Sequence, residues 1–502
     1  MGAGMLQGLS NLGGNTIVFI ALGVFVSTVI AILPGIGGVV ALALLIPLTY
    51  VLDPLAGFAV LIAAVAVTGT GNTITAVLFG MPGTPSGAAL LFDGYPMSQK
   101  GEGAKAVAAG ITASVLGGIL GAIALAAMIP VARQIVLAIS SPEFFMLVVL
   151  AIVAIAAVKQ EHVGKALVAA GLGLVAGFTG LEPTGALRFT FGQLYLWDGI
   201  PLVPTLIGMF AVVEMMRLSK STRSIAKVST EAARGGGTLD GVKAAFVHWR
   251  TVVQGSAIGV AIGLLPGIGQ NAASYIAYGQ AARTSKRREF FGTGEVEGVI
   301  GPDSSTNATD GAQLVPTLAF GIPGGSSMAV VLAGVTILGY QPGPRFIEQN
   351  LDIMWTAVYV IVIAGILGGV FCIWLAPLLA KLTFVRATLL IPAIFGVSVV
   401  GAYTNRIHVG DIVALVLGGL VGYLFYITGY PRQVFVIALV LGPILENQFL
   451  LSIRLYGDTF FLVRPIAAVL TALLFLIVVV PLFRRLQRGV GQRRIDRELI
   501  EQ

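Results

Sequence analysis

Apolar stretches as long as Ala104 to Ile129 decide most of what this chain can become. A helix crossing a bilayer takes about 20 apolar residues. Comparable stretches run from Thr16 to Leu33, Glu143 to Val158, Ile353 to Pro377 and Val463 to Phe483. Charged residues are 11% of the chain and hydrophobic ones 56%, against roughly 25% charged in an ordinary soluble protein, so lipid surrounds most of it. The expectation is an all-α polytopic membrane protein with about eleven to fourteen membrane segments. Several of these are too short or too broken to cross alone. The first apolar segment lacks a basic n-region and a small-residue cleavage signal, and reads as a permanent helix. Cys372 is the single cysteine, which excludes an internal disulfide and a thiolate metal cluster.

The net charge of +7 does not point to nucleic acid. Lys and Arg cluster at the edges of apolar segments, the pattern of cytoplasmic loops.

Comparing the chain with itself reveals three matches in the same order. Leu33-Pro34-Gly35-Ile36-Gly37 recurs as Leu265-Pro266-Gly267-Ile268-Gly269, Phe79-Gly80-Met81-Pro82-Gly83 as Phe320-Gly321-Ile322-Pro323-Gly324, and His162-Val163-Gly164 as His408-Val409-Gly410. The reading is a first membrane repeat over 1–218, a basic cytoplasmic linker over 219–250, a second repeat over 251–452, and an extra transmembrane helix with a basic tail over 453–502. If linker and tail both face the cytoplasm, one helix from Val463 to Phe483 leaves the second repeat ending outside, where the first ends inside. The repeats would then be inverted, as in many secondary transporters. Arg454 and Arg464, on the outer side in this scheme, run against it.

Proline removes a backbone donor and glycine favours a turn, so helices should break at Pro34, Gly35, Pro266 and Gly267, with Asn271 just beyond. Such breaks survive in a membrane only when buried in protein or lining a wet cavity, and a re-entrant hairpin fits the short run from Asn271 to Arg283. The second pair of motifs is richer in donors. Thr70, Asn72 and Thr73 lead into Gly83, Thr84, Pro85, Ser86 and Gly87, with Asp93-Gly94-Tyr95-Pro96 behind. Asp303, Ser305, Thr306, Asn307, Thr309 and Asp310 lead into Gly324, Gly325, Ser326 and Ser327. A glycine loop opening a helix presents backbone N–H groups at the positive end of the helix dipole, an anion site needing no buried lysine. Asn72, Ser86, Asn307, Thr309 and Asp310 read as loop positions, with the two asparagine amides completing a carboxylate shell. Asp303 or Asp310, with released carbonyls and the hydroxyls of Thr70, Ser305, Thr306 and Thr309, suit a hard cation such as sodium, or a proton. Small residues packing helices closely is the plainer reading for Gly and Ser taken singly. His162 and His408 read as interfacial rather than as a proton relay.

No P-loop is present, so the chain does not hydrolyse ATP by that device, and no metalloprotease motif or Cys/His cluster suggests a metalloenzyme. No cofactor is expected. A membrane-embedded enzyme acting on a lipid or carboxylate is the alternative from another class, and scattered acids give it little support.

Taken together, Leu33 to Gly38, Gly80 through Pro96, Leu265 to Asn271, and Gly301 through Gly325 with Gly339-Tyr340-Gln341-Pro342 resemble the TctA family over essentially the whole chain. Gly-Met-Pro-Gly-Thr-Pro-Ser-Gly-Ala followed by Asp-Gly-Tyr-Pro is the most specific part. The resemblance implies the large permease subunit of a tripartite tricarboxylate transporter. It also implies a small TctB-like membrane subunit, a periplasmic TctC-like binding protein, a citrate-like carboxylate and an ion gradient, in the inner membrane of a bacterium.

Overall fold

The computed structural model describes residues 2–33, 37–158, 163–220, 237–266, 268–382 and 387–476. The first half holds α1 (Gly2–Ser10), α2 (Thr16–Ala31), α3 (Gly37–Thr49), α4 (Pro54–Phe79), a 3-10 turn (Pro85–Leu91), α5 (Gly94–Gln99) and α6 (Gly103–Ala138). It continues through α7 (Ser141–Val158), α8 (Val163–Gly177), α9 (Leu202–Ile207) and α10 (Val213–Lys220). A short antiparallel pair, Gly180–Leu181 with Leu187–Arg188, precedes α9. The same order follows in the second half, with α11 (Thr238–Val247), α12 (Trp249–Gly263), α13 (Gly269–Thr284), α14 (Glu297–Leu314), α15 (Ser326–Ile337), α16 (Pro344–Gln349) and α17 (Leu351–Leu382). It ends with α18 (Ala387–Tyr403), α19 (Val409–Thr428), α20 (Arg432–Tyr456) and α21 (Phe460–Val463). Six described helices are long and apolar enough to cross a membrane, and seven shorter apolar helices accompany them. The chain is an all-α polytopic membrane protein.

Packing partners are exchanged between the halves. α1 lies on α17 and α11 lies on α6; α4 packs on α2 and α17, and α14 packs on α12 and α6. α11 falls inside the segment read as linker, packed on α6 as α1 is on α17.

Both Leu-Pro-Gly-Ile-Gly motifs interrupt helices, between α2 and α3 and between α12 and α13. Each of these helices has 16 residues or fewer, short of a full crossing, and each pair packs on itself. Pro34, Gly35 and Gly267 lie outside the described residues, as do His162, residues 221–236 of the linker, and the extra helix beyond Leu476 with its arginine tail.

The structure corrects the loop assignment of Asn72, Asn307, Thr309 and Asp310. All four are helical, Asn72 on α4 and the others on α14. α4 starts cleanly because Asp53 accepts from the Ala56 amide at 3.0 Å with Pro54 in the first turn. It stops at Gly80, whose φ of 65° suits glycine. α14 stays helical despite its polarity because its hydroxyls turn back on their own backbone. Ser304 donates to the Gly301 carbonyl, Ser305 and Thr306 to that of Pro302, and Thr309 to that of Ser305. Every residue of α14 is buried. Gly255, Gly259 and Gly263 of α12 let its backbone approach closely, a Cβ at Gly259 falling 2.2 Å from the Ser305 carbonyl oxygen.

Candidate substrate and ion site

The interior polar groups line one face of α14. Asp303, Asn307, Asp310 and Gln313 recur at spacings of four, three and three, which stacks them along a single stripe. None is more than 3% exposed, so each must find a partner within the protein or in what it binds.

At one end Thr73 Oγ1 lies 3.0 and 3.1 Å from the two Asp303 carboxylate oxygens. At the crossing of α4 and α14, Asn307 Nδ2 donates to the Ala66 carbonyl at 3.1 Å and to Thr70 Oγ1 at 3.2 Å. Gly69 makes room for the asparagine, since a Cβ there would stand 2.4 Å from Asn307 Oδ1. At the other end Gln270, the second residue of α13, donates to Asp310 Oδ1. Three fully buried atoms on this stripe have no hydrogen bond: Asn307 Oδ1, Asp310 Oδ2 and Gln313 Nε2. Ser305, Thr306 and Thr309, expected as ion ligands, spend their hydroxyl protons on backbone carbonyls.

Each helix break faces a Gly-x-Pro-Gly turn. A Cβ at Gly37 would fall 2.8 Å from the Gly83 carbonyl oxygen, and one at Gly269 would fall 3.9 Å from that of Gly324. In the first turn Asn72 Oδ1 accepts from the Gly83 amide at 2.6 Å and the Thr84 amide at 3.1 Å. Asn72 therefore holds the turn through its side-chain oxygen. Thr84 and Ser86 pair their hydroxyls at 2.8 Å, and Ser274 of α13 donates to the Ser86 carbonyl at 2.6 Å. Gly87 sits against Asn72, a Cβ there falling 2.0 Å from Nδ2. Pro266, Asn271, Pro85 and the stretch Gly325–Ser327 reach the surface at least partly.

Asp93, in the Asp-Gly-Tyr-Pro motif, is fully buried. Its Oδ1 accepts from the Gly292, Gly294 and Glu295 amides at 2.8, 2.8 and 2.9 Å, and its Oδ2 from the Tyr278 hydroxyl at 2.9 Å. This carboxylate ties the segment before α14 to the first half. His408 Nδ1 accepts from the Gly410 amide at 2.9 Å, capping α19. Among the described residues no group of three or more His, Cys, Asp or Glu could hold a metal ion.

Sequence reasoning missed Gln313. The repeat register carried the signal, because Gln313 precedes Gly324 by the same eleven residues that separate Asn72 from Gly83. A cavity of about 450 Å³, lined by Trp197, Asp198, Thr336, Asn405, Arg406 and Glu446 among others, includes no residue of the stripe. It lies near the far end of α15, about 15 Å along the helix from Ser326 at 1.5 Å per residue.

A relative in Agrobacterium vitis, described as an uncharacterized 52.8 kDa protein in the TAR-I ttuC' 3' region, is 31% identical over 481 residues, covering 93% of each chain. A second from the same organism, described as an uncharacterized protein in the TAR-II ttuC' 3' region, is 31% identical over 226 residues, 45% of this chain and 93% of its own. No solved structure matches the chain. A family model described as the tripartite tricarboxylate transporter TctA family matches residues 17–437, and the chain belongs to that family.

Proposed function

We propose that this protein is the large permease subunit of a binding-protein-dependent secondary transporter that imports citrate-like tricarboxylates or related carboxylates by symport with sodium or protons. Its partners are a small TctB-like membrane subunit and a periplasmic TctC-like binding protein, in the inner membrane of a bacterium. The observation that carries the coupling is Asp310. One of its oxygens is bonded to Gln270 and the other is unpartnered, at 2% exposure, beside the second helix break. A substrate carboxylate at the start of α15 would lie close to this second acid, and two negative charges in a low-dielectric site repel strongly. A sodium ion or a proton between them removes that cost, so substrate and cation favour each other's binding.

Edge charges support the orientation. Lys100 donates to the Thr293 carbonyl, Lys165 to that of Thr428, and Arg432 pairs with Glu214, which also pairs with Arg217. These contacts join chain segments at the edge where α10 ends and α11 begins, and the basic residues between those helices in the sequence make it the cytoplasmic edge by the positive-inside rule. The α12–α13 hairpin then opens to the cytoplasm and α2–α3 to the periplasm. This inverted arrangement suits alternating access, with an elevator motion as the working description.

The test is uptake of labelled citrate and other carboxylates into liposomes carrying the chain with its small subunit, with and without binding protein and an inward sodium or proton gradient. Gradient-driven uptake that requires the binding protein is expected. No uptake of any acid by folded, inserted protein would remove the transporter reading.

A further inference from the structure

The two Gly-x-Pro-Gly turns share a backbone design and differ in what lies beneath them. Under the first turn, Asn72 already fills the acceptor role for the Gly83 and Thr84 amides, and the turn's hydroxyls bond each other. Under the second, the residue in the same register is Gln313, one methylene longer. It is 1% exposed, and its Nε2 makes no hydrogen bond. Gln313 lies directly below the turn: a Cβ on Gly325 would stand 3.7 Å from its Oε1 and 3.8 Å from its Nε2. α15 starts at Ser326 with no side-chain cap. The first amides of a helix have no acceptor within it, and Gly325, Ser326 and Ser327 are partly open.

We infer that the substrate carboxylate binds at the second turn alone, on Gln313 Nε2 and the opening amides of α15, while the first turn is a closed structural element. This rests on the transporter reading above. A carboxylate oxygen accepts, and the cradle offers it donors: the unpartnered Gln313 Nε2, backbone N–H groups and two serine hydroxyls, with Gln313 Oε1 the acceptor beside them. A buried donor without an acceptor is unfavourable, and the arriving anion relieves it. Asp310, one helical turn before Gln313 on the same face, supplies the second site that a coupling cation fills.

The experiment uses the full chain with its small subunit in lipid nanodiscs, with equilibrium binding of labelled citrate and of succinate at saturating sodium. Gln313→Leu and Gly325→Ala are each expected to weaken binding about tenfold or more. The thermal midpoint of Gln313→Leu should hold or rise, because an unsatisfied donor has been removed. Gly325 has extended φ and its Cβ would meet only ordinary contacts, so that alanine variant tests the cradle even if Gln313→Leu folds poorly. Unchanged affinity in Gly325→Ala, or in a stably folded Gln313→Leu, would overturn the inference while leaving transport intact. No binding of either acid to the wild type would instead overturn the transporter reading and this inference together.

Discussion

Around Gly80–Gly87 the protein uses its polar groups on itself, and beneath Gly325–Ser327 it leaves the Gln313 nitrogen without a partner. Both turns carry Gly-x-Pro-Gly, both face a broken helix, and both lie against a long buried helix. What differs is the side chain eleven residues upstream. Asparagine reaches the turn with its oxygen and closes it; glutamine presents an unpartnered nitrogen. On the inference drawn above, a repeated backbone supplies one turn for rigidity and one for binding, the two differing in a single residue beneath the motif.

The sharpest way to break this comparison is to remove Asp93, the most heavily bonded polar group of the first half. Asp93→Ala strands three backbone amides and the Tyr278 hydroxyl, and a loss of roughly 3–5 kcal/mol is expected. Thermal melting of the detergent-purified protein would report it, and a midpoint close to wild type would show that the segment before α14 does not depend on this tie. Next comes Asn72→Leu, which strands the Gly83 and Thr84 amides. A cost of about 1–3 kcal/mol follows from the loss of two part-buried hydrogen bonds, seen as a lower midpoint, where Gln313→Leu shows no drop.

Asp310→Asn sharpens the second side of the comparison. It keeps the size and removes the charge, so sodium or proton stimulation of carboxylate uptake should fall by about tenfold or more, with the melting midpoint little changed. Retained stimulation would move the coupling site away from Asp310.

The smallest effect concerns the base of the second hairpin. Glu297 accepts from Thr251 at 2.6 Å and from Ser285 at 2.7 Å, and lies 3.4 Å from His248 Nδ1. It thereby clasps both hairpin legs, whereas Asp53, at the start of α4, caps its own helix. The hydrogen bond to Glu297 raises the His248 pKa above its usual value, against some desolvation. A raised histidine pKa adds stability that is complete below the unfolded value near 6.5 and disappears as pH climbs through the folded one. Wild type should therefore lose a little stability on going from pH 6 to 8, and His248→Gln should flatten that slope.

Much of the plan was legible in the sequence. Proline and glycine inside apolar runs marked both helix breaks, since their backbone chemistry acts locally. The polar run from Asp303 to Asp310 misled, because local polarity suggested a loop while glycine seams on α6 and α12 bury it as a helix. Gly117 of α6 shows how close that approach is, a Cβ there falling 2.1 Å from the Ser304 carbonyl oxygen. The closing of the first turn by Asn72 was invisible for a different reason: it depends on which way one amide points, and that is set by packing around Gly87. Asp93, which the sequence offered only as part of Asp-Gly-Tyr-Pro, serves as a fastening.

The most direct test of the central claim is a cryo-electron microscopy map of the chain with its small subunit, with saturating citrate and sodium. The account predicts added density between the Gln313 amide and the start of α15, with a cation or ordered water near Asp310. Density on the Gly83–Ser86 turn, with the second turn empty, would contradict it.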